Sequence, residues 1–135
     1  MKVTEHFDST EFDCHDGTSY PKDWIDSRLF PLCTELEVVR KEAGNKCIHI
    51  DSGYRTSSYN KKLPGAARFS QHMEGRAADI VIGSLAPEIV HALVLKLYNE
   101  KKIQIGGLGS YPSFTHVDIR LTDRLVRWTG SRNSN

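Results

Sequence analysis

Leu29, Cys33, Leu36 and Val39 recur at steps of three and four, the spacing of one helix face, while Glu35, Glu37, Arg40, Lys41 and Glu42 fill the other positions. Gly44 follows as the natural stop for this helix, and Pro31 fits its first turn, where a missing N–H costs nothing. A second helix is predicted over 84–100, with Ser84 as its cap and Ile89, Val90, Leu93, Val94 and Leu97 as its apolar face. Between the two helices, 47–50 and 78–82 read as short strands, the first ending in an Asp-Ser-Gly corner. After the second helix, 106–111 and 114–119 read as a strand pair joined at Pro112. Near the start, Asp8 with Glu11 three residues later is a capping signal for a short helical turn that directs Phe7 and Phe12 inward, and 13–21 is a loop. The order helix, strand, strand, helix, strand, strand predicts an α+β fold, a small and mainly antiparallel sheet with helices packed on it.

The 135 residues suit a single domain spanning 1–135, with the polar segment 130–135 expected as a flexible tail. With 18 basic against 17 acidic residues and 39% hydrophobic content, the chain is neither a charged disordered segment nor an electrostatic binder of nucleic acid. Its longest run without Asp, Glu, Lys or Arg, 103–117, is broken by glycines and a proline and falls short of the roughly twenty apolar residues of a membrane span. Charges occupy the first eight residues, where a secretory signal has its apolar stretch, so synthesis in the cytoplasm without an export signal is expected. Three cysteines without a C-x-x-C pair predict free thiols, with Cys33 and Cys47 packing as small apolar residues. A monomer is expected, because the second helix can bury its apolar face within the chain.

The chemistry concentrates in 70–79 and 116–118. A loop carrying His72 can turn at Gly75 and return along a strand, bringing the Asp79 carboxylate beside the imidazole. With His116 on a neighbouring strand, two neutral nitrogens and one carboxylate converge as a catalytic zinc set that keeps a position for water. A single carboxylate leaves net positive charge on such a complex, so the metal remains a Lewis acid. Two histidines and an aspartate also fall together by chance in many domains, so spacing alone leaves a metal-free reading open.

Ser70, His72, Gly75, Ala77 and Asp79 spell Ser-x-His-x-x-Gly-x-Ala-x-Asp, which resembles the metal-binding segment of the zinc D-Ala-D-Ala carboxypeptidase and phage endolysin peptidase family. His116 resembles the family's third ligand. Ser52-Gly53-Tyr54-Arg55, with Asn60 beyond it, is similar to its substrate-binding turn, and Gly107-Leu108-Gly109-x-Tyr111-Pro112 before Phe114-x-His116-Val117-Asp118 to its closing hairpin. The resemblance runs from Phe7 to about Trp128. It implies one catalytic Zn2+ in a cleft on the sheet and hydrolysis of peptide stems or cross-links of peptidoglycan, by a lysin released to the wall or carried on a virion. It also implies that Arg55 holds the scissile carbonyl oxygen or its oxyanion, and that Tyr54, Asn60 and Ser70 touch substrate. For Ser70 the alternative is a hydroxyl that satisfies the loop presenting His72.

Many relatives place an acid three residues before the last histidine; here that position is Ser113, a poor proton acceptor. Asp118, two residues along the strand from His116, shares its face and is the expected base facing the cleft, with orientation of a ligand as its alternative and Glu74 as a lesser candidate. The departure keeps a second function in view, a catalytically silent zinc-binding structural or wall-binding protein of a phage particle. His91 is expected as a partly buried structural residue, and His49 on the face opposite Ile48 and Ile50. Trp24 and Trp128 are expected as lids over the core, and Arg120, Arg124 and Arg127 as a solvated basic face.

Overall fold

A computed structural model describes residues 1–132 of the chain. Its elements are β1 (Lys2–Thr4), β2 (Phe7–Asp8), α1 (Phe30–Glu42), β3 (Ile48–Ser52), α2 (Ser57–Lys62), β4 (Ala77–Ile82), α3 (Pro87–Asn99), β5 (Gly107–Ser110), β6 (Thr115–Asp118) and β7 (Val126–Thr129). The predicted turn near the start forms over Ser9–Phe12 with both halves of its capping box: Asp8 accepts from the Thr10 amide, and the Glu11 carboxylate accepts from the Asp8 amide. Phe7 and Phe12 are buried beneath it. A 3-10 turn (Lys22–Trp24) and a π turn (Ile25–Leu29) lead directly into α1, whose first turn holds Pro31. At its end Gly44 adopts φ +77°, and the amides of Gly44 and Asn45 return to the carbonyls of Lys41 and Arg40, closing the helix in a Schellman turn.

Five strands form one sheet in the order β3-β4-β6-β5-β7, antiparallel except for the last pair, β5 with β7. Alternation along the strands sends Ile48, Ile50, Ala78, Ile80, Ile82, Leu108 and Val117 to one face, where they share a core with Leu29, Leu32, Cys33, Leu36 and Val39 of the first helical stretch and Val90, Val94 and Leu97 of α3. The fold is therefore α+β, as the pattern predicts, with the helical layer on one face and the other face available for a site. Among the described residues no helix is long and apolar enough to cross a membrane.

Several local expectations are corrected. Ser84 does not cap the second helix, which begins at Pro87 after an Ala86 cap that makes no side-chain bond. Ile89 is 53% exposed instead of lying on the buried face, and Cys47 is exposed just ahead of β3. All three thiols are free. The helix α2 and the strand β7 are additions to the predicted set. The strand continues in register past its end, the Gly130 amide donating to the Ser110 carbonyl; of the expected tail, 133–135 lie outside the described residues.

Candidate metal centre

One row of residues crosses the sheet face away from the helices. Ser52, Asp79, His116, Gly109 and Trp128 are successive cross-strand partners from β3 to β7, so their side chains share one face. His72 joins them from the 63–76 loop. That loop is pinned at its turn: Gly75 takes φ +68°, its carbonyl accepts from the Tyr20 hydroxyl at 2.6 Å, and the Glu74 carbonyl accepts from Arg28. The Arg55 amide donates to the His72 carbonyl and the His72 amide to Ser70 Oγ. The alternative for Ser70 is thus realised in its geometry, while the residue also lines the cleft above.

His72 Nε2 lies 3.2 Å and His116 Nδ1 3.0 Å from the same atom, Asp79 Oδ1, and one ligand atom from each of the three residues lies within 4.8 Å of the others. All three residues are buried. The outer atom of each is held elsewhere: His72 Nδ1 is 2.7 Å from the Gly53 carbonyl, His116 Nε2 is 2.7 Å from Asp118 Oδ2, and Asp79 Oδ2 accepts from Arg55 Nη2 at 3.2 Å. A carbonyl and an ionised carboxylate can only accept, so these contacts place the protons on His72 Nδ1 and His116 Nε2 and leave the inward nitrogens as lone-pair donors. Two imidazole lone pairs and one carboxylate oxygen, each steered from behind, fit a zinc-type donor set. Cys14 and His15 join no such cluster among the described residues.

The electrostatics favour a neutral His72 and ionised Asp79 and Asp118, but an added proton on His116 that an ion entering at Nδ1 must displace. Burial pushes the His72 pKa down despite the neighbouring Asp79. Burial alone would raise Asp79, but His72 and His116 outweigh it and hold the carboxyl far below the usual range. Burial opposes a charge on His116 too, yet its hydrogen bonds to Asp118 and Asp79 prevail and raise it. Asp118 is held far below the usual range, its burial outweighed by His116 and Arg120. Burial lowers Arg55 to about 10, against the pull of Asp79.

Glycines clear the space that these contacts occupy. A Cβ on Gly107 would overlap the Asp118 carboxylate, and one on Gly109 would come 2.7 Å from the Trp128 indole. Because Gly109 lacks a side chain, Trp128 reaches across it to lie 4.9 Å from the His116 ring. Gly53 is pressed on the Phe12 backbone, where a Cβ would stand 2.6 Å from Phe12 Cα, and this approach aims the Gly53 carbonyl at His72.

His72 and His116 line a cleft of about 610 Å³, and Asp79 is fully buried against them. Arg55 lines it, 1% exposed, with Nε on Ser52 Oγ at 3.2 Å and Nη1 on Asn60 Oδ1 at 3.3 Å in addition to its Asp79 contact. Asn60 is buried behind it, its amide donating to the Ala67 carbonyl, and Tyr54 packs edge-on to Tyr20 and Trp24; neither lines the cleft. Trp24 packs against the core as expected. Asp118 is not turned to the cleft: it is fully buried behind His116 and bound by the Arg120 amide, Nε and Nη2. Its strand position does share the His116 face, but the carboxylate folds toward the outer ring nitrogen. Neither Ser113 nor Glu74 lines the cleft, and among the described residues no Asp or Glu stands in its walls.

The walls also contain residues that the sequence reading placed elsewhere or passed over. Trp128 is a cleft residue instead of a lid over the core, donating from Nε1 to the Tyr111 hydroxyl at 2.8 Å. Arg120, expected on a solvated face, pairs with Asp118 and lies 5.1 Å from the Trp128 ring. Its place at 120, continuing the alternation of 116 and 118, was the available signal. Tyr111, from the hairpin motif, and Arg132 complete this side, and nothing in the local pattern marks Arg132.

No curated protein sequence matches the chain. A family model described as Peptidase M15 matches residues 5–118, taking in β2 to β6, all three donor residues and Asp118. With the match covering most of the chain and its donor set assembled on the sheet, the protein belongs to the Peptidase M15 family.

Proposed function

We propose that the chain is a zinc metallopeptidase that hydrolyses peptide stems or cross-links of bacterial peptidoglycan. The observation that carries this reading is the convergence of His72 Nε2, His116 Nδ1 and Asp79, with both histidines lining an open cleft, within a chain of the Peptidase M15 family. Zinc held there polarises a scissile carbonyl and lowers the pKa of a bound water.

The chain's own residues prepare that site. Gly53 and Asp118 keep the ring protons on the outer nitrogens of His72 and His116. Arg55 orients Asp79 and presents positive charge at the cleft surface, where it stabilises an oxyanion developing on the substrate. Asp118 acts through His116 as a positioning residue, and the closing hairpin with Trp128 and Tyr111 forms the wall against which the peptide lies. In this reading the protein acts on the cell wall, as a lysin or from a virion.

A second reading, a silent zinc-binding structural or wall-binding protein of a phage particle, is favoured by the lack of a carboxylate in the cleft walls among the described residues. Digestion of purified peptidoglycan before chelation, after it and after zinc is restored, with mass spectrometry of the fragments, separates the two. Zinc-dependent new amino termini or loss of terminal D-Ala supports the peptidase. Intact wall in the presence of zinc-loaded protein supports the silent protein.

A further inference from the structure

Three arginines line the cleft, and two of them face acids: Arg55 is 3.2 Å from Asp79 and Arg120 is 2.7 Å from Asp118. Among the described residues the third, Arg132, has no carboxylate partner, and its buried Nε and Nη1 find no hydrogen-bond acceptor there. Buried guanidinium N–H groups without acceptors are rare, because the desolvation they suffer is uncompensated.

The position of Arg132 is built by the fold. β7 runs parallel to β5, the Gly130 amide continues the ladder to the Ser110 carbonyl, and two residues later the side chain enters the cleft. There its guanidinium lies 5.5 Å from the Tyr111 ring centroid and 5.7 Å from that of Phe114, two rings that stack at 4.4 Å with an interplanar angle of 16°. Aromatic faces attract and orient a cation without neutralising it. The result is an oriented positive charge that no described residue compensates, in the wall of a cleft whose other arginines are matched and whose walls, among the described residues, hold no acid.

We infer that Arg132 forms a subsite for a carboxylate of the bound peptide and so sets which peptides the cleft accepts. The inference rests on the peptidoglycan reading for the identity of the peptide, and it deepens that reading by assigning a charge requirement to one residue. Peptide stems offer two sources of this chemistry, the C-terminal carboxylate and the α-carboxylate of a γ-linked D-Glu. Each forms a charge-assisted pair with a guanidinium.

The test uses the pentapeptide L-Ala-γ-D-Glu-L-Lys-D-Ala-D-Ala and two analogues, one amidated at its C-terminus and one at the D-Glu α-carboxylate. Affinities are measured by calorimetry on metal-free wild-type protein and on Arg132→Ala and Arg132→Lys, so that turnover plays no part. Amidating one of the two carboxylates is expected to weaken binding to wild-type protein on the order of 10- to 100-fold. That sensitivity should vanish in Arg132→Ala and return in part in Arg132→Lys; the sensitive position names the carboxylate. Equal affinity of wild-type protein for all three peptides overturns the inference, as does a loss on amidation that persists undiminished in Arg132→Ala. If zinc-loaded protein cuts peptidoglycan and Arg132→Ala cuts all three peptides as wild type does, the subsite fails while the peptidase reading stands. If peptidoglycan stays intact yet the Arg132-dependent preference holds, the peptidase reading fails and the subsite stands.

Discussion

His116 and Asp118, two residues apart on β6, meet through His116 Nε2 and Asp118 Oδ2 at 2.7 Å, and this contact turns the other ring nitrogen toward Asp79. The carboxylate therefore reaches the donor cluster only through the imidazole. An Asp118→Asn variant keeps the shape but removes the charge that fixes the ring proton on Nε2. Its metal affinity is expected to fall by roughly 10- to 100-fold, the usual cost of losing an outer-shell carboxylate. A competition titration against a chromophoric chelator reads this directly. Unchanged affinity accompanied by loss of hydrolysis would return Asp118 to the role of base.

Gly107 sits across from Asp118 in the β5–β6 ladder, and a Cβ there would overlap the carboxylate. Its φ lies outside the left-handed region, so a Gly107→Ala change acts through contact alone. Overpacking of this kind costs about 1–3 kcal/mol and should also weaken metal binding by displacing Asp118. Gly17 supplies the control: at φ +93° with open space around it, Gly17→Ala carries backbone strain of about 1–2 kcal/mol and should leave metal affinity unchanged. Urea unfolding paired with the same chelator titration separates the two effects.

What could be read from the chain followed from repetition. The face of Leu29, Cys33, Leu36 and Val39 is buried in α1, and the strands flanking Asp79 and His116 form within a residue or two of their expected bounds, because apolar periodicity and glycine stops act locally. The donor residues were legible for a related reason, as a spaced motif within one loop and strand plus one histidine on the next strand. Ile89 and Ser84 misled because the pattern extended the second helix one turn too early, while the chain before Pro87 is extended. β7 was silent since its burial is slight and its partner β5 lies far away in sequence. With β7 unseen, Trp128 and Arg132 had no route to the cleft. The direction of the Asp118 carboxylate was likewise beyond strand alternation, which fixes the face of a side chain but not which of two neighbours it meets.

Glu37 ties the β1–β2 turn to α1: Oε2 accepts from the His6 amide at 2.8 Å, and Oε1 is 2.7 Å from His6 Nδ1. Burial would raise the Glu37 pKa, but the Thr4 hydroxyl and the His6 contacts outweigh it and lower it from 4.5. A carboxylate depressed on folding contributes stability that is present above its unfolded value and lost as the pH falls through its folded one. Glu37→Gln should therefore be less stable than wild type by about 0.5–1.5 kcal/mol at pH 7. The gap should narrow as the pH drops below 4.5. Urea titrations at pH 7 and at successive lower pH values check the convergence; a gap that is constant with pH would assign the effect to packing.

Metal loading should be visible as stability, independent of any substrate. The three donors converge only in the folded chain, so an ion that binds them stabilises the native state by RT ln(1 + [L]/Kd), about 2.7 kcal/mol at a free concentration of 100 Kd. For a domain of this size that corresponds to a rise in Tm of roughly 10 °C, reversed by chelation. His72→Ala removes a buried side chain and should lower the metal-free Tm by itself, so the telling quantity is the increment on adding zinc, which should disappear. The increment should also shrink as the medium is acidified. His116 has a raised affinity for a proton, and an ion entering at Nδ1 must compete with protonation of that ring. A wild-type protein whose Tm ignores zinc at neutral pH would show that the cluster is a proton-sharing network of two histidines and an aspartate. A zinc increment surviving in His72→Ala would place the ion elsewhere on the chain.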